Sequence, residues 1–148
     1  MIFATCDNLY LDEDRKFQSL NGLCIVAVDD NADSLELVSI ILEGYGARVL
    51  VAQSAHEAFD AIAQTQPDIL ISDIAMPEVD GYELIRQIRI QESQQGGFLP
   101  AIALTAYARD EERLLALDAG FQTHVPKPIE PIELVAVVAQ FARSFHHS

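Results

Sequence analysis

The sequence predicts a single α/β domain: one parallel five-stranded sheet with helices on both faces. Three observations carry this. Five short apolar runs alternate with five segments whose apolar residues recur at helical spacing, and that alternation builds a parallel sheet covered on both sides. Glycine, proline and polar clusters punctuate the changes of pattern. Half of the 148 residues are hydrophobic and 22% are charged, which suits one domain with a full core and not a disordered chain.

Residues 1–21 are mixed and polar, with Asp12-Glu13-Asp14-Arg15-Lys16, and read as an N-terminal extension. The regular pattern starts at Leu23, and residues 22–145 form the expected domain. Leu23–Val28 is an apolar run of strand length, and Leu35, Val38, Ile41 and Leu42 then recur at helical spacing within a helix over Asn31–Leu42. Gly44 and Gly46 are expected to stop it. Arg48–Ala52 is the second strand. Ser54 caps a helix over Ala55–Gln64, with Glu57 completing a capping box. Ile69–Asp73, apolar on both sides, has the pattern of a central parallel strand. After the loop Met76–Gly81, Tyr82–Gln91 is helical and Ser93–Gly97 is a polar connector. Ala101–Thr105 is the fourth strand, Arg109–Ala119 a helix ended by Gly120, and Thr123–Pro126 a short fifth strand. Pro131 opens the last helix, through Arg143. The five residues after Arg143 are too few for an output domain.

Charge narrows the function. With 23 acidic and 9 basic residues the net charge is -14, the wrong sign for a nucleic-acid surface and the right one for a divalent metal or a cationic partner patch. Cys6 and Cys24 form no metal or redox spacing, and Cys24 reads as a buried reduced thiol. The N-terminus lacks the pattern of a signal peptide, and no apolar run is long enough to span a membrane, so a cytoplasmic location is expected.

Four of the runs end in residues that carry chemistry: Asp29-Asp30, Asp73, Thr105 and Lys127. Right-handed crossovers bring the C-terminal ends of parallel strands to one edge, where ligands of open sheets bind. Three carboxylates there repel one another unless a cation sits among them. They suit an oxygen-ligated Mg²⁺ that keeps several waters, while Lys127 supplies a point charge and Thr105 a hydrogen bond to a phosphoryl oxygen. In such a site one carboxylate can act as nucleophile and form an acyl phosphate.

The stretches Val26-Ala27-Val28-Asp29-Asp30-Asn31, Ile71–Gly81, Leu104-Thr105-Ala106 and Lys127-Pro128 resemble the receiver domains of two-component response regulators, over about residues 22–143. The resemblance implies a flavodoxin-like doubly wound sheet with strand order 2-1-3-4-5. It implies that Asp73 is the phosphoacceptor, that Asp30 ligates Mg²⁺ directly with Asp29 as its partner, and that Asp73 and the backbone carbonyl of Ala75 complete the ligands. It makes Thr105 the switch hydroxyl and Lys127 the phosphate-binding lysine, followed by a cis peptide that Pro128 permits. The implied donor is a histidine kinase or a histidine phosphotransfer protein, and the implied output is a downstream protein partner. The implied activity is limited to the chain's own phosphoryl transfer and dephosphorylation. Where the family often has Tyr or Phe, three residues before the lysine, this chain has His124, which puts the usual threonine–aromatic coupling in doubt. Gly120–Pro128 is similar to receivers attached to hybrid histidine kinases.

Other readings stand beside these. Asp29-Asp30 alone would pass for a solvated strand end or a helix cap, Thr105 for a cap and Lys127 for a surface lysine. His124 reads as a structural histidine rather than a phosphate relay, Met76 as loop packing, and His146 and His147 as inert. An aspartyl-phosphate hydrolase of the haloacid dehalogenase type needs a second acid two residues after its nucleophile, where this chain has Ala75. The remaining alternative is a receiver-like module that binds proteins without phosphorylation. On the last helix Ile132, Leu134, Val135, Val137, Val138 and Phe141 exceed one apolar stripe. Leu134, Val137 and Phe141 are therefore expected to offer a partner or homodimer surface, unless Leu9, Tyr10, Leu11 or Phe17 of the extension folds over it.

Overall fold

The computed structural model describes residues 19–106 and 109–146. Strand and helix alternate: β1 (Cys24–Val28), α1 (Ala32–Gly44), β2 (Arg48–Ala52), α2 (Ala55–Thr65), β3 (Ile69–Asp73), α3 (Gly81–Gln95), β4 (Ala101–Thr105), α4 (Asp110–Ala119), β5 (Thr123–Pro126) and α5 (Pro131–His146). The strands are all parallel, in the order β2-β1-β3-β4-β5. The expected fold class and strand order are therefore both found.

Alternation along the strands divides the core into two layers. Ile25, Ala27, Ile69, Ile71, Ile102, Leu104 and Val125 pack against α1 and α5. Val26, Val28, Leu70, Ala101 and Ala103 pack against α2, α3 and α4. The central strands β3 and β4 are buried at every position, as strands covered on both faces must be.

Side chains fix three of the helix starts. Asn31 Oδ1 accepts from the Ser34 N–H at 3.1 Å, Ser54 Oγ from the Glu57 N–H at 3.2 Å and Asp80 Oδ1 from the Glu83 N–H at 2.9 Å. The Glu57 carboxylate reaches the Gln53 N–H at 2.8 Å, so the capping box closes one residue before the cap.

Five sequence expectations are corrected. α1 runs two residues past the expected Leu42 to Gly44, its last residue, and ends where the N–H groups of Tyr45 and Ala47 fold back onto the Leu42 carbonyl and Gly46 turns the chain at φ 102°. Ser93 and its neighbours continue α3 to Gln95, because Glu92 gives the polar segment internal partners: the Arg89 guanidinium at 2.8 Å and the Leu99 N–H at 2.7 Å. Cys24 is half-buried, since it opens β1 at the rim of the sheet, and its N–H donates to Asp68 at 2.8 Å. The folded body starts before residue 22: the Leu20 N–H donates to the Tyr45 carbonyl and its side chain is core. Leu134 offers no partner surface, because it is fully buried under the sheet with Val135 and Val138. Val137 and Phe141 are partly buried against the same layer, and among the described side chains of α5 the exposed large apolar one is Ile132. Met76 packs into the opposite layer as expected. The extension residues Leu9, Tyr10, Leu11 and Phe17, the Asp12–Lys16 run and His147 lie outside the described residues.

Candidate functional site at the C-terminal edge of the sheet

Asp29 follows β1 directly and prolongs its ladder with β2, donating its N–H to the Ala52 carbonyl at 3.1 Å. Its side chain is buried, and Oδ1 accepts the Asn31 N–H at 2.9 Å. Asn31 therefore caps α1 and orients Asp29 at once. Asp30, the next residue, is exposed.

Asp73 closes β3 and is 5% exposed. Its backbone is held from three directions. The buried Ser72 hydroxyl donates to the Asp73 carbonyl at 2.8 Å, and the next N–H, of Ile74, reaches the Leu104 carbonyl at 3.3 Å. From α3, Gly81 packs so closely that a Cβ there would collide with the Asp73 carbonyl oxygen and stand 2.8 Å from Ile74 Cα. The Gly81 N–H also donates to the Ile74 carbonyl at 2.9 Å. Gly81 was visible in the sequence as part of a loop motif, but its closeness to Asp73 depends on how α3 returns to the sheet.

Lys127 is drawn to the same edge by its backbone, whose N–H donates to the Thr105 carbonyl at 2.7 Å, and the peptide bond that follows it is cis. Its Nζ lies 3.0 Å from Asp29 Oδ2 and 3.1 Å from Asp73 Oδ1. Carboxylate oxygens of Asp29, Asp30 and Asp73 all fall within 4.8 Å of one another. The structure thus brings together Asp29, Asp30, Asp73 and Lys127. Ala75 lies in the exposed loop after β3. Thr105 ends β4, buried, with its hydroxyl 3.3 Å from His124 Nδ1.

The electrostatics follow from this packing. Burial pushes the Asp73 carboxyl above its ordinary value, and Asp29 and then Asp30 push the same way; the hydrogen bond and charge of Lys127 pull back without cancelling the rise. Burial alone would lower the Lys127 ammonium, but its hydrogen bonds to Asp29 and Asp73 outweigh that and hold it above the usual lysine range. One ammonium faces three carboxylates, so the cluster keeps an excess of negative charge. An all-oxygen donor set with that excess fits a hard divalent cation such as Mg²⁺.

Comparison with known proteins agrees with this architecture. Residues 25–139 match the family model of the response regulator receiver domain. The chain is 46% identical to an uncharacterized 14.6 kDa protein in the sodA1 3′ region of Leptolyngbya boryana, over 86% of this chain and 96% of that one. It is 38% identical to the sensor histidine kinase GacS of Pseudomonas protegens over 79% of this chain, which spans only 13% of the kinase's length. Among solved structures, a putative response regulator from Chloroflexus aurantiacus superposes with a TM-score of 0.73 at 33% identity, covering 80% of this chain and 96% of that one.

Proposed function

The chain belongs to the response regulator receiver domain family, and on that premise we propose that it accepts a phosphoryl group from a phosphohistidine onto Asp73. The observation that carries this reading is the bridge of Lys127 between Asp29 and Asp73, with Asp30 beside them. The bridge puts a buried carboxylate nucleophile and a partly exposed cation in direct contact at the sheet edge.

The transfer breaks the P–N bond of the donor imidazole and forms a P–O bond to a carboxylate oxygen of Asp73. The donor ring takes up the proton that its leaving nitrogen needs. Asp29, Asp30, Asp73 and the carbonyl of Ala75 are the groups that would hold Mg²⁺. When bound, the ion supplies neutralisation of the charge that builds on the phosphoryl oxygens. Lys127 offers its Nζ to a phosphoryl oxygen, and its short contact with Asp73 already places that charge at the acceptor. Thr105, at the end of the neighbouring strand, donates its hydroxyl to the same group, so the product is held differently from the free carboxylate. That difference biases the equilibrium between two forms of the domain, and the output passes to a protein partner. The donor is a histidine kinase or a phosphotransfer protein. GacS, which contains a stretch 38% identical to this chain, is itself a sensor histidine kinase.

Trapping tests this reading. Borohydride reduces an aspartyl phosphate to homoserine. After incubation with a phosphorylated histidine donor, reduction followed by peptide mass mapping is expected to convert Asp73 and no other aspartate. Conversion at Asp29 or Asp30 instead would move the acceptor.

A further inference from the structure

Thr105 and His124 meet across two strands. Ala103 pairs with His124 and Thr105 with Pro126 in the β4–β5 register, and Thr105 Oγ1 lies 3.3 Å from His124 Nδ1. Thr105 is 2% exposed, so its hydroxyl has few partners to choose from. A threonine hydroxyl has one proton to donate, and a neutral imidazole carries one proton on either nitrogen. The contact therefore exists in two exclusive forms. With the ring proton on Nε2, Nδ1 accepts and the Thr105 proton points at the ring. With the ring proton on Nδ1, the ring donates to Oγ1 and the Thr105 proton is free for another acceptor.

Asp73 pairs with Leu104, the residue before Thr105, so a phosphoryl group on Asp73 would form beside this hydroxyl. A phosphoryl oxygen accepts and cannot donate, so it engages the Thr105 hydroxyl in the second form only. We infer that His124 is the positioning residue for the Thr105 hydroxyl, and that phosphorylation at Asp73 is read on β5 as a change in which imidazole nitrogen carries the proton. The inference rests on Asp73 being the phosphoacceptor. No net proton is taken up: one leaves Nε2 for water and one joins Nδ1 from water. His124 is half-buried on a strand at the edge of the sheet, where water can make that exchange. On phosphorylation Nε2 turns from donor to acceptor, which changes what the ring offers a neighbour without altering its charge.

Nitrogen NMR on the full chain labelled with ¹⁵N-histidine tests this. Spectra are taken with Mg²⁺ at about pH 8. They are recorded before and after acetyl phosphate, with the intact mass followed in parallel. His124 is assigned by its loss in His124→Asn, against His56, His146 and His147. The expected result is an unprotonated Nδ1 before phosphorylation and a protonated one after it. In Thr105→Val the His124 nitrogens are expected to stay unchanged in whatever fraction of the protein gains the phosphoryl mass, however slowly that fraction forms. A wild-type protein that gains the mass while His124 keeps one tautomer would overturn the inference, as would a Thr105→Val protein whose His124 still responds. If neither acetyl phosphate nor a phosphohistidine donor adds the mass, the acceptor reading fails and the inference falls with it.

Discussion

Lys127 Nζ stands 3.1 Å from Asp73 Oδ1 while reaching Asp29 Oδ2 at 3.0 Å, so one ammonium serves two buried carboxylates contributed by separate strand ends. Replacing it by a neutral chain of similar length, Lys127→Met, leaves both carboxylates without their cation. Removing one partner of a buried pair is costly, and the partial exposure of Lys127 moderates the cost to about 2 kcal/mol. Urea unfolding at neutral pH is expected to show that loss, and the rate of phosphoryl uptake is expected to fall with it.

The raised pKa of Asp73 makes a signed prediction for Asp73→Asn. A carboxyl held above its unfolded value destabilises the fold when ionised, at pH above the folded pKa. That penalty fades as the pH falls through the folded pKa toward the ordinary carboxylate value. In the absence of metal, Asp73→Asn is therefore expected to melt higher than wild type at about pH 8 and to lose that advantage by about pH 4. Added Mg²⁺ is expected to raise the wild-type melting temperature and not that of Asp73→Asn. A wild type that gains no stability from the ion would argue against the cluster as its site.

Gly81 lets α3 press on the Asp73 backbone, and the atoms it meets are main-chain atoms that cannot turn aside. Gly81→Ala is expected to destabilise by about 1–3 kcal/mol, the usual cost of overpacking. Because the displaced backbone is that of the proposed acceptor, the phosphorylation rate is expected to fall even under conditions where the variant stays folded. Circular dichroism and a phosphorylation time course separate the two effects.

The two faces of α5 respond oppositely to charge. Leu134 is fully buried, and Leu134→Asp is expected to cost about 3 kcal/mol or more and to unfold much of the population. Ile132 is 71% exposed, and Ile132→Asp is expected to stay within about 0.5 kcal/mol of wild type. Urea midpoints of the two variants measure the contrast.

These particulars show how far the sequence was readable. The limits of β3 and β4 were legible because each is a short apolar run closed by a distinct chemical signal, Ser72-Asp73 or Leu104-Thr105, and those of β2 and β5 because turn-forming or polar residues bracket them. The site was legible for a related reason: parallel topology alone carries the strand ends to one edge, so Asp29, Asp73 and Lys127 could be grouped without knowing a distance. Leu134 was misplaced because α5 is apolar over more than one stripe, and periodicity cannot say which stripe meets the sheet. The extent of α3 depended on Glu92 meeting Arg89 and the Leu99 N–H, contacts that exist only once the chain has folded back. His124 was visible as a departure from the usual aromatic residue, but its pairing with Thr105 needs the β4–β5 register.

The most direct measurement is the intact mass of the full chain after incubation with acetyl phosphate and Mg²⁺, repeated with a chelator and with Asp73→Asn. The account predicts a gain of one phosphoryl group that disappears with the chelator and in the variant. A wild-type protein that gains nothing while binding Mg²⁺ and receiving nothing from a phosphohistidine donor, or a variant that is phosphorylated as fully as wild type, would contradict it.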